Sequence, residues 1–287
     1  MKKIFITLFS VTILLASPIF AATEKTVWTS ENGLARVEKI GKKLLEKNNL
    51  PTQVTFSVLE TDDINAFASS ENEICVYTGL LNYVQDDDEL AGIIGHEMGH
   101  IVNNHVAKQS IVSSITSSMI SNANISEKAK TGAALVHNLS MLKMSRTQEY
   151  EADITGIDLM IKAGYNPLAT ISILYKISGN YVDFIQTHPS KDKRTMYSYD
   201  YMTYTYPNLV KKSYTSDAYK QFMAYAKTVV DKRNSNQSKL NKFNKEQAKL
   251  QVKRAKKMAK YQKTNPWASS ISLLKAISSV NSESVNQ

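Results

Sequence analysis

One short stretch of the sequence has residue types and a spacing that suit metal chemistry, His96-Glu97-Met98-Gly99-His100. Two histidines four residues apart lie on one face of an α-helix, about one turn from each other. Both imidazoles can therefore bind one metal ion, and Glu97 stands where it can take a proton from a water that the metal activates. The motif predicts a metal site with His96 and His100 as ligands and Glu97 as the base.

The residues around the motif predict a helix from about residue 87 to residue 109. Four acidic residues, Asp86 to Glu89, precede an apolar run of helical period. They suit the positive end of the helix dipole, and Asp86 and Glu89 have the spacing of a capping box. Glu97 lies beside a strongly apolar stripe, where a carboxylate without a partner is costly. A metal and its water would supply that partner.

Two histidines leave a catalytic metal one protein ligand short. A third histidine ten residues after His96 is excluded, because that position is Val106. His105 follows His100 by five residues, so a continuous helix would turn it away from the ligand pair. It is predicted to occupy an outer or surface position. His137 lies in an ordinary helical setting and is interpreted as a residue outside the site.

A second acidic stretch offers the missing ligand. Ser145 is a predicted N-cap of a helix that Gly164 closes, and Glu149 and Asp153 share one face of it. One of the two could bind the metal while the other orients a ligand histidine. The alternative, a solvated acidic first turn, is equally compatible with the spacing. Glu151 falls on another face and is predicted to face solvent.

Alternating β-type residues predict three short strands before the motif, after a surface helix over residues 33–48. The predicted strands span residues 54–59, 65–68 and 73–77. The edge of such a sheet could pair with an extended substrate, or the sheet could be scaffold alone. Cys75 is the one cysteine of the chain, which excludes an internal disulfide. It is predicted to be a small buried apolar residue.

The beginning of the chain has the composition of a targeting segment. A basic start, Met1-Lys2-Lys3, is followed by an apolar run to Leu15 and small residues at Ala21 and Ala22. This pattern predicts a signal peptide over residues 1–22 and secretion across the inner membrane, to the periplasm or cell envelope. Nucleic acid is not an expected partner of a chain with such a signal.

The end of the chain is strongly basic. Residues 201–287 hold 17 Lys and Arg against 4 Asp and Glu. Residues 239–263 predict a long, weakly amphipathic helix, whose charges form a solvated face or contact an anionic membrane surface or cell-wall polymer. Between the two ligand stretches, residues 110–143 predict a helical hairpin that either covers the cleft as a lid or only packs beside it.

Several motifs in a fixed order give residues 30–200 a resemblance to a known family. They are Asn65-Ala66-Phe67-Ala68, Val76-Tyr77-Thr78-Gly79-Leu80-Leu81, Asp88-Glu89-Leu90-Ala91, His96-Glu97-Met98-Gly99-His100, and Ser145-Arg146 with Glu149-x-Glu-Ala-Asp153 and Gly156. This pattern resembles the M48 family of zinc metallopeptidases, in particular its secreted bacterial members. The resemblance implies an α+β fold, mostly α, of the zincin-like type, with an HExxH helix, a small β-sheet and a basic helical C-terminal extension.

The resemblance also implies a ligand set. One Zn²⁺ per chain would be bound by His96, His100 and Glu149, with Glu97 as the catalytic general base. Asp153 takes the place that holds a ligand histidine in the family. Removal of Glu97 is then expected to leave zinc bound and to abolish turnover.

A downstream His188-Pro189 followed by Arg194 also matches the family pattern. The resemblance gives His188 a role at the site that stays open between two alternatives. It would stabilise the oxyanion of the tetrahedral intermediate as a catalytic residue, or it would fill the open zinc position and keep the enzyme latent. Arg194 is expected in an outer position, where it orients the surroundings of His188 or binds the substrate main chain.

Together these features predict a signal peptide over residues 1–22, a metallopeptidase domain over 23–205 and a basic, mainly helical extension over 206–287. The predicted function is a zinc-dependent endopeptidase with proteins or peptides as its substrates, and the resemblance to the family implies that these are misfolded cell-envelope proteins. The alternative is a latent or inactive zinc-bound protein that binds chains as a chaperone does. Glu97 argues against the alternative, because a purely structural metal site needs no base.

Overall fold

A computed structural model describes residues 26–50, 54–69, 71–106, 126, 144–180, 188, 192–210 and 213–264 of the 287 residues. The predicted signal peptide, His137 and all of the predicted hairpin over 110–143 except Ser126 lie outside the described residues.

The described ranges contain eight helices and one three-stranded sheet. The strands are β1 (Thr55–Leu59), β2 (Ala66–Ala68) and β3 (Glu73–Tyr77). The helices are α1 (Ser30–Lys47), α2 (Thr78–Tyr83), α3 (Asp87–Val102), α4 (Arg146–Lys162), α5 (Leu168–Asn180), α6 (Asp192–Thr205), α7 (Asp217–Asn234) and α8 (Gln237–Thr264). This mostly helical architecture with a small sheet confirms the predicted fold class, and α8 confirms the long basic helix.

The sheet has the order β1-β3-β2, with β3 in the centre. β3 runs parallel to β1 and antiparallel to β2. Asn72, with a φ of 62°, completes the polar turn of the β2–β3 hairpin, a left-handed conformation that asparagine tolerates well. Cys75 is buried in β3, and all three strands begin and end within one residue of the predicted spans.

α3 begins where the acidic cluster predicts, but it ends earlier than expected. The Asp86 Oδ1 atom accepts a hydrogen bond from the Glu89 backbone N–H at 2.9 Å, whereas Glu89 Oε2 accepts from the Gln85 N–H rather than closing a full capping box. The predicted extension to about residue 109 is wrong. α3 ends at Val102, because the next residues form its C-terminal cap and Asn104 takes a φ of 54°, which stops a right-handed helix.

α3 and α4 lie backbone against backbone, because small residues face each other along their contact. A Cβ atom added to Gly99 would lie 2.5 Å from the Ala152 carbonyl oxygen, and one added to Gly156 would lie 2.7 Å from the Gly95 carbonyl carbon. No larger side chain fits at either glycine unless the helices separate. This close approach places the motif histidines of α3 directly beside the acidic face of α4.

Two buried clusters support this helix pair. An aliphatic cluster joins α1, the sheet, α2 and α3 to one side of α4 and α5, whereas an aromatic-rich cluster joins the other side of α4 and α5 to α6 and α7. Phe222 of α7 is fully buried in the second cluster together with Ile154 and Ile157 of α4. The predicted domain boundary after residue 205 therefore crosses a shared core, and it stays a prediction. No helix in the described ranges is both long and apolar enough to span a bilayer.

Candidate metal centre

Four buried side chains converge between α3, α4 and the segment at His188. One potential ligand atom from each of His96, His100, Glu149 and His188 lies within 4.8 Å of the other three. His96 Nε2 is 3.0 Å from His100 Nε2, 3.3 Å from His188 Nδ1 and 3.6 Å from Glu149 Oε2. Glu149 Oε1 is 3.4 Å from His100 Nε2, and Glu149 Oε2 is 3.2 Å from His188 Nδ1.

These separations, 3.0 to 3.6 Å, are close to those of a tetrahedral metal site. Bonds of 2.0–2.2 Å to four tetrahedral ligands place the ligand atoms roughly 3.3 to 3.6 Å apart. Burial lowers the pKa of His100 to about 3, so its imidazole is neutral at pH 7, the form that binds metals. The Nε2 atoms of His96 and His100 face each other at 3.0 Å, a separation that needs a metal ion or a shared hydrogen between the two nitrogens. Imidazole and carboxylate donors together are a ligand set typical of zinc.

The local sequence explains why the carboxylates of α4 point at the histidines. Ser145 caps α4 through a full capping box with Gln148, which starts the helix so that Glu149 lies in its first turn and Asp153 one turn later. Glu149 faces the cluster, and Asp153 Oδ1 lies 2.8 Å from His96 Nδ1, the ring nitrogen that faces away from the cluster. The alternative of a solvated acidic first turn does not hold, because both carboxylates are at most 1% exposed.

Arg194 of α6 joins the two carboxylates. Its Nε and Nη2 atoms donate to the two oxygens of Asp153 at 2.6 and 2.7 Å, and Nη1 lies 2.8 Å from Glu149 Oε2. Burial alone would raise the pKa of Asp153, but Arg194 and His96 outweigh it and hold that pKa below its usual value. Arg194 Nη2 also lies 3.0 Å from His96 Nδ1 and 3.1 Å from His96 Nε2, so the guanidinium contacts both carboxylates and one imidazole of the cluster. The two roles predicted for Arg194 stay predictions.

Glu97 lies in the same buried space but takes no part in the ligand cluster. Its Oε1 atom has no hydrogen-bond partner among the described residues, and it lies 3.6 Å from His188 Nε2. Burial raises the pKa of Glu97, although His188 and His96 oppose the shift. A buried carboxylate oxygen without a partner beside a cluster of ligand atoms is what a general base for a water molecule requires.

His188 bridges the cluster and Glu97. Burial would lower its pKa, but the carboxylates of Glu149 and Glu97 outweigh burial and raise it. In this position the Nδ1 atom lies where a fourth ligand would lie, whereas Nε2 faces the base. The geometry brings His188 to the site that the sequence assigned to it and is compatible with either of its two predicted roles.

Two residues outside the predicted ligand set lie close to the centre, and His105 takes the outer of the two positions predicted for it. His105 is buried, and its Nδ1 atom is 3.1 Å from His100 Nδ1. Its Nε2 atom is 3.3 Å from Glu151 Oε2, so Glu151 does not simply face solvent as predicted. The left-handed residue Asn104 turns the chain back towards α3 and causes this difference. A sequence signal for it exists, since a pair of asparagines after a helix favours such a turn.

Comparisons with known proteins agree with this geometry. The family model described as "Peptidase family M48" matches residues 32–196. The mitochondrial metalloendopeptidase OMA1 of Arabidopsis thaliana is 34% identical over 151 residues, which cover 50% of this chain and 30% of that protein. Metalloprotease LoiP of Escherichia coli is 29% identical over 171 residues, 54% of this chain and 66% of that protein.

The beta-barrel assembly-enhancing protease of Escherichia coli is 24% identical over 177 residues, 55% of this chain and 36% of that protein. The matched part of this chain thus spans about a third of the length of two of these three relatives. All of the residues brought together at the metal centre lie within the range that the family model matches.

Proposed function

Because this chain belongs to peptidase family M48, a family of metallopeptidases, we propose that it is a zinc-dependent endopeptidase. His96, His100 and Glu149 would hold one Zn²⁺, and Glu97 would serve as the general base. The observation that carries the proposal is the convergence of four buried ligand atoms within 4.8 Å of one another, next to the unpartnered Glu97 carboxylate.

Each protein group then has a chemical task. When bound, Zn²⁺ would supply a Lewis acid that lowers the pKa of water and polarises a peptide carbonyl. The Glu97 carboxylate takes a proton from the attacking water and later gives it to the leaving amine nitrogen. Its raised pKa suits both halves of this transfer, because the group is then basic enough to accept and acidic enough to donate. Asp153 fixes the ring of His96, and Arg194 fixes Asp153.

The substrate chain could be held by the sheet. β2 is an edge strand of the described sheet and packs against α3. An extended peptide that adds to this edge would gain main-chain hydrogen bonds without selecting particular side chains. Such binding would suit unfolded segments of many sequences.

Two features bear on the place of action. The signal peptide predicted over residues 1–22 directs the chain to the cell envelope, and one relative carries the name beta-barrel assembly-enhancing protease. We infer that the substrates are misfolded or misassembled envelope proteins. The basic helix α8 would bring the enzyme to anionic membrane or cell-wall surfaces.

The test is zinc content and casein hydrolysis measured on the same samples of wild type and Glu97→Gln. Wild type should carry about one zinc and cleave, whereas Glu97→Gln should carry zinc and lose activity by about 100-fold or more. Glu46→Gln, an exposed carboxylate change on α1, is the matched control and should behave as wild type. Equal activity of wild type and Glu97→Gln would refute the assigned base.

The role of His188 determines whether the enzyme is active or latent. In the observed position its Nδ1 atom completes a set of four protein ligands, whereas a catalytic zinc keeps one position open. We therefore favour the gating role, in which His188 must move before a substrate binds. His188→Ala should keep zinc and gain casein hydrolysis relative to wild type. A loss of activity would instead assign His188 to the oxyanion, and zinc binding without hydrolysis in every variant would support the chaperone-like alternative.

A further inference from the structure

His105 and Glu151 form a chain of contacts that ends on a proposed ligand. His100 directs its Nε2 atom at the cluster, 3.0 Å from His96 Nε2, so its Nδ1 atom faces outward. That outward nitrogen is 3.1 Å from His105 Nδ1, and His105 Nε2 is 3.3 Å from Glu151 Oε2. Three side chains thus connect the centre to the outer face of α4.

Only one arrangement of hydrogens satisfies this chain with His100 as a ligand. The Glu151 carboxylate can only accept, so the hydrogen of His105 is on Nε2 and its Nδ1 is an acceptor. His100 then donates its Nδ1–H to His105, which leaves the Nε2 lone pair of His100 directed at the cluster. Glu151 therefore fixes the tautomer of His100 through His105, as Asp153 fixes that of His96 by direct contact.

The C-terminal helix holds the outer end of this chain. Lys257 Nζ donates to Glu151 Oε2 at 2.6 Å, and Lys253 Nζ donates to Glu151 Oε1 at 3.2 Å. Between them along α8, Arg254 is paired with Asp158, two turns further along α4. Residues 253 and 257 are four apart and share one face of α8, so one helix face binds both oxygens of a single carboxylate.

We propose that Glu151 is a positioning residue of the metal centre, that it acts through His105 on the ligand His100, and that α8 holds it in place through Lys253 and Lys257. The inference rests on the proposed zinc centre and assigns a task to the basic extension beyond surface contact. Through these contacts α8 helps to hold the ligand His100 in place. Detachment of α8 from α4 would therefore weaken metal binding without removing any ligand.

The test measures zinc affinity of the full chain by competition with a chromophoric chelator, for Glu151→Met and Glu151→Gln. Methionine keeps the length of the side chain but accepts no strong hydrogen bond. Glutamine keeps an oxygen that accepts from His105 Nε2–H although it loses the charge that attracts the lysines. Glu151→Met should weaken zinc binding by about tenfold or more, and Glu151→Gln should recover most of that loss.

Two lysine variants separate the role of α8 from general effects of charge. Lys257→Ala should weaken zinc binding by a smaller factor, because Lys253 still holds Glu151. Lys256→Ala, which removes an exposed charge from the neighbouring position, is the matched control and should leave the affinity unchanged. If Glu151→Met does not fold, zinc affinity is measured on His105→Phe instead. Phenylalanine removes the acceptor of the His100 Nδ1–H but leaves the contacts between Glu151 and the lysines of α8.

The outcomes distinguish this proposal from the proposed function. Wild type that binds zinc and cleaves, together with Glu151→Met of equal zinc affinity, overturns the positioning role alone. Glu151→Gln as weak as Glu151→Met also overturns it, because the hydrogen bond to His105 would then not be the cause. Wild type that binds no zinc overturns both proposals.

Discussion

Helix α4 carries two pairs of buried or half-buried carboxylates that are balanced in different ways. The inner pair, Glu149 and Asp153, faces α3 and shares one guanidinium from α6 with the imidazole cluster. The outer pair, Glu151 and Asp158, faces α8 and receives its cations from that helix. The inner pair is inside the matched family range with all of its partners, whereas the cations of the outer pair lie beyond it.

The difference shows how one helix can face a candidate metal centre on one side and pack against a basic helix on the other. On the inner face two carboxylates contact Arg194 and the imidazoles of the cluster, and Glu149 is one of four side chains that could hold a metal ion. On the outer face the cations of α8 already occupy the carboxylates, and Asp158 also accepts hydrogen bonds from Tyr201 and Tyr206 at 2.8 Å. The oxygens of both pairs therefore have protein partners, and the buried carboxylate oxygen that lacks one among the described residues is Glu97 Oε1, beside the inner pair.

The largest effect is expected from breaking the inner pair. Arg194→Ala removes the only guanidinium that contacts Glu149 and Asp153 among the described residues, and both carboxylates stay buried. An uncompensated buried charge of this kind costs about 3 to 5 kcal/mol. The free energy of unfolding, measured by urea denaturation with zinc present, should fall by that amount.

The control for Arg194→Ala is Lys42→Ala, which breaks an exposed i,i+4 pair with Glu38 on α1. That change should cost less than about 0.5 kcal/mol, since surface pairs contribute little. A loss below 1 kcal/mol in Arg194→Ala would mean that water or the metal replaces the guanidinium, and the contrast between the two pairs would then disappear.

A smaller effect is expected from separating α3 and α4. A methyl group on Gly156 would lie 2.7 to 2.8 Å from backbone atoms of Gly95 and His96, so the helices must move apart. Gly156→Ala should reduce the free energy of unfolding by about 1 to 3 kcal/mol and weaken zinc binding, because Glu149 moves away from the histidines. Zinc content after dialysis and urea denaturation measure the two effects.

Gly95→Ala provides a graded control from the opposite helix. Its added Cβ would lie 3.2 to 3.5 Å from Gly156, close but tolerable after a small shift. Gly95→Ala should therefore lower the free energy of unfolding and weaken zinc binding by less than Gly156→Ala does. If both variants lose stability but keep the wild-type zinc affinity, the helix contact supports the fold without setting the ligand geometry.

Most residues of the inner face can be predicted from the sequence, because they follow from spacings of a few residues along one helix. The motif on α3, the i,i+4 pair on α4 and the N-caps at Asp86 and Ser145 follow from helical periodicity, and the strands follow from alternation. His188 and Arg194 came from the family resemblance, since no periodicity connects them to α3. The early end of α3 was missed because one residue, Asn104, takes a left-handed conformation.

The outer face could not be predicted from the sequence in the same way. The lysines that bind Glu151 lie 102 and 106 residues away along the chain, and a basic helix offers many equivalent lysines. Which of these lysines contacts a carboxylate depends on how α8 packs on α4. This tertiary packing leaves no periodic pattern in the sequence. For the same reason Glu151 appeared to be an ordinary solvent-facing residue of an acidic turn.

The smallest predicted effect concerns the pH dependence of the outer pair. The hydrogen bond from His105, with Lys257 and Lys253, holds the pKa of Glu151 below its ordinary value of 4.5 against the opposing effect of burial. Its contribution to stability is therefore fully present above pH 4.5 and is lost as the pH falls towards the depressed pKa, because the unfolded chain takes up the proton first.

Wild type and Glu151→Gln, both stripped of metal with a chelator, should differ by about 1 to 2 kcal/mol in free energy of unfolding at pH 7. This difference should decrease below pH 4.5. The pH-dependent contributions of the other acidic groups to the free energy of unfolding should largely cancel in the difference, because both proteins contain those groups. Urea denaturation at a series of pH values measures it. A difference that stays constant down to pH 3 would show that Glu151 acts through its shape and hydrogen bonds and that its charge does not hold α8. The outer pair would then resemble an ordinary packing contact, and only the inner pair would depend on ionised carboxylates.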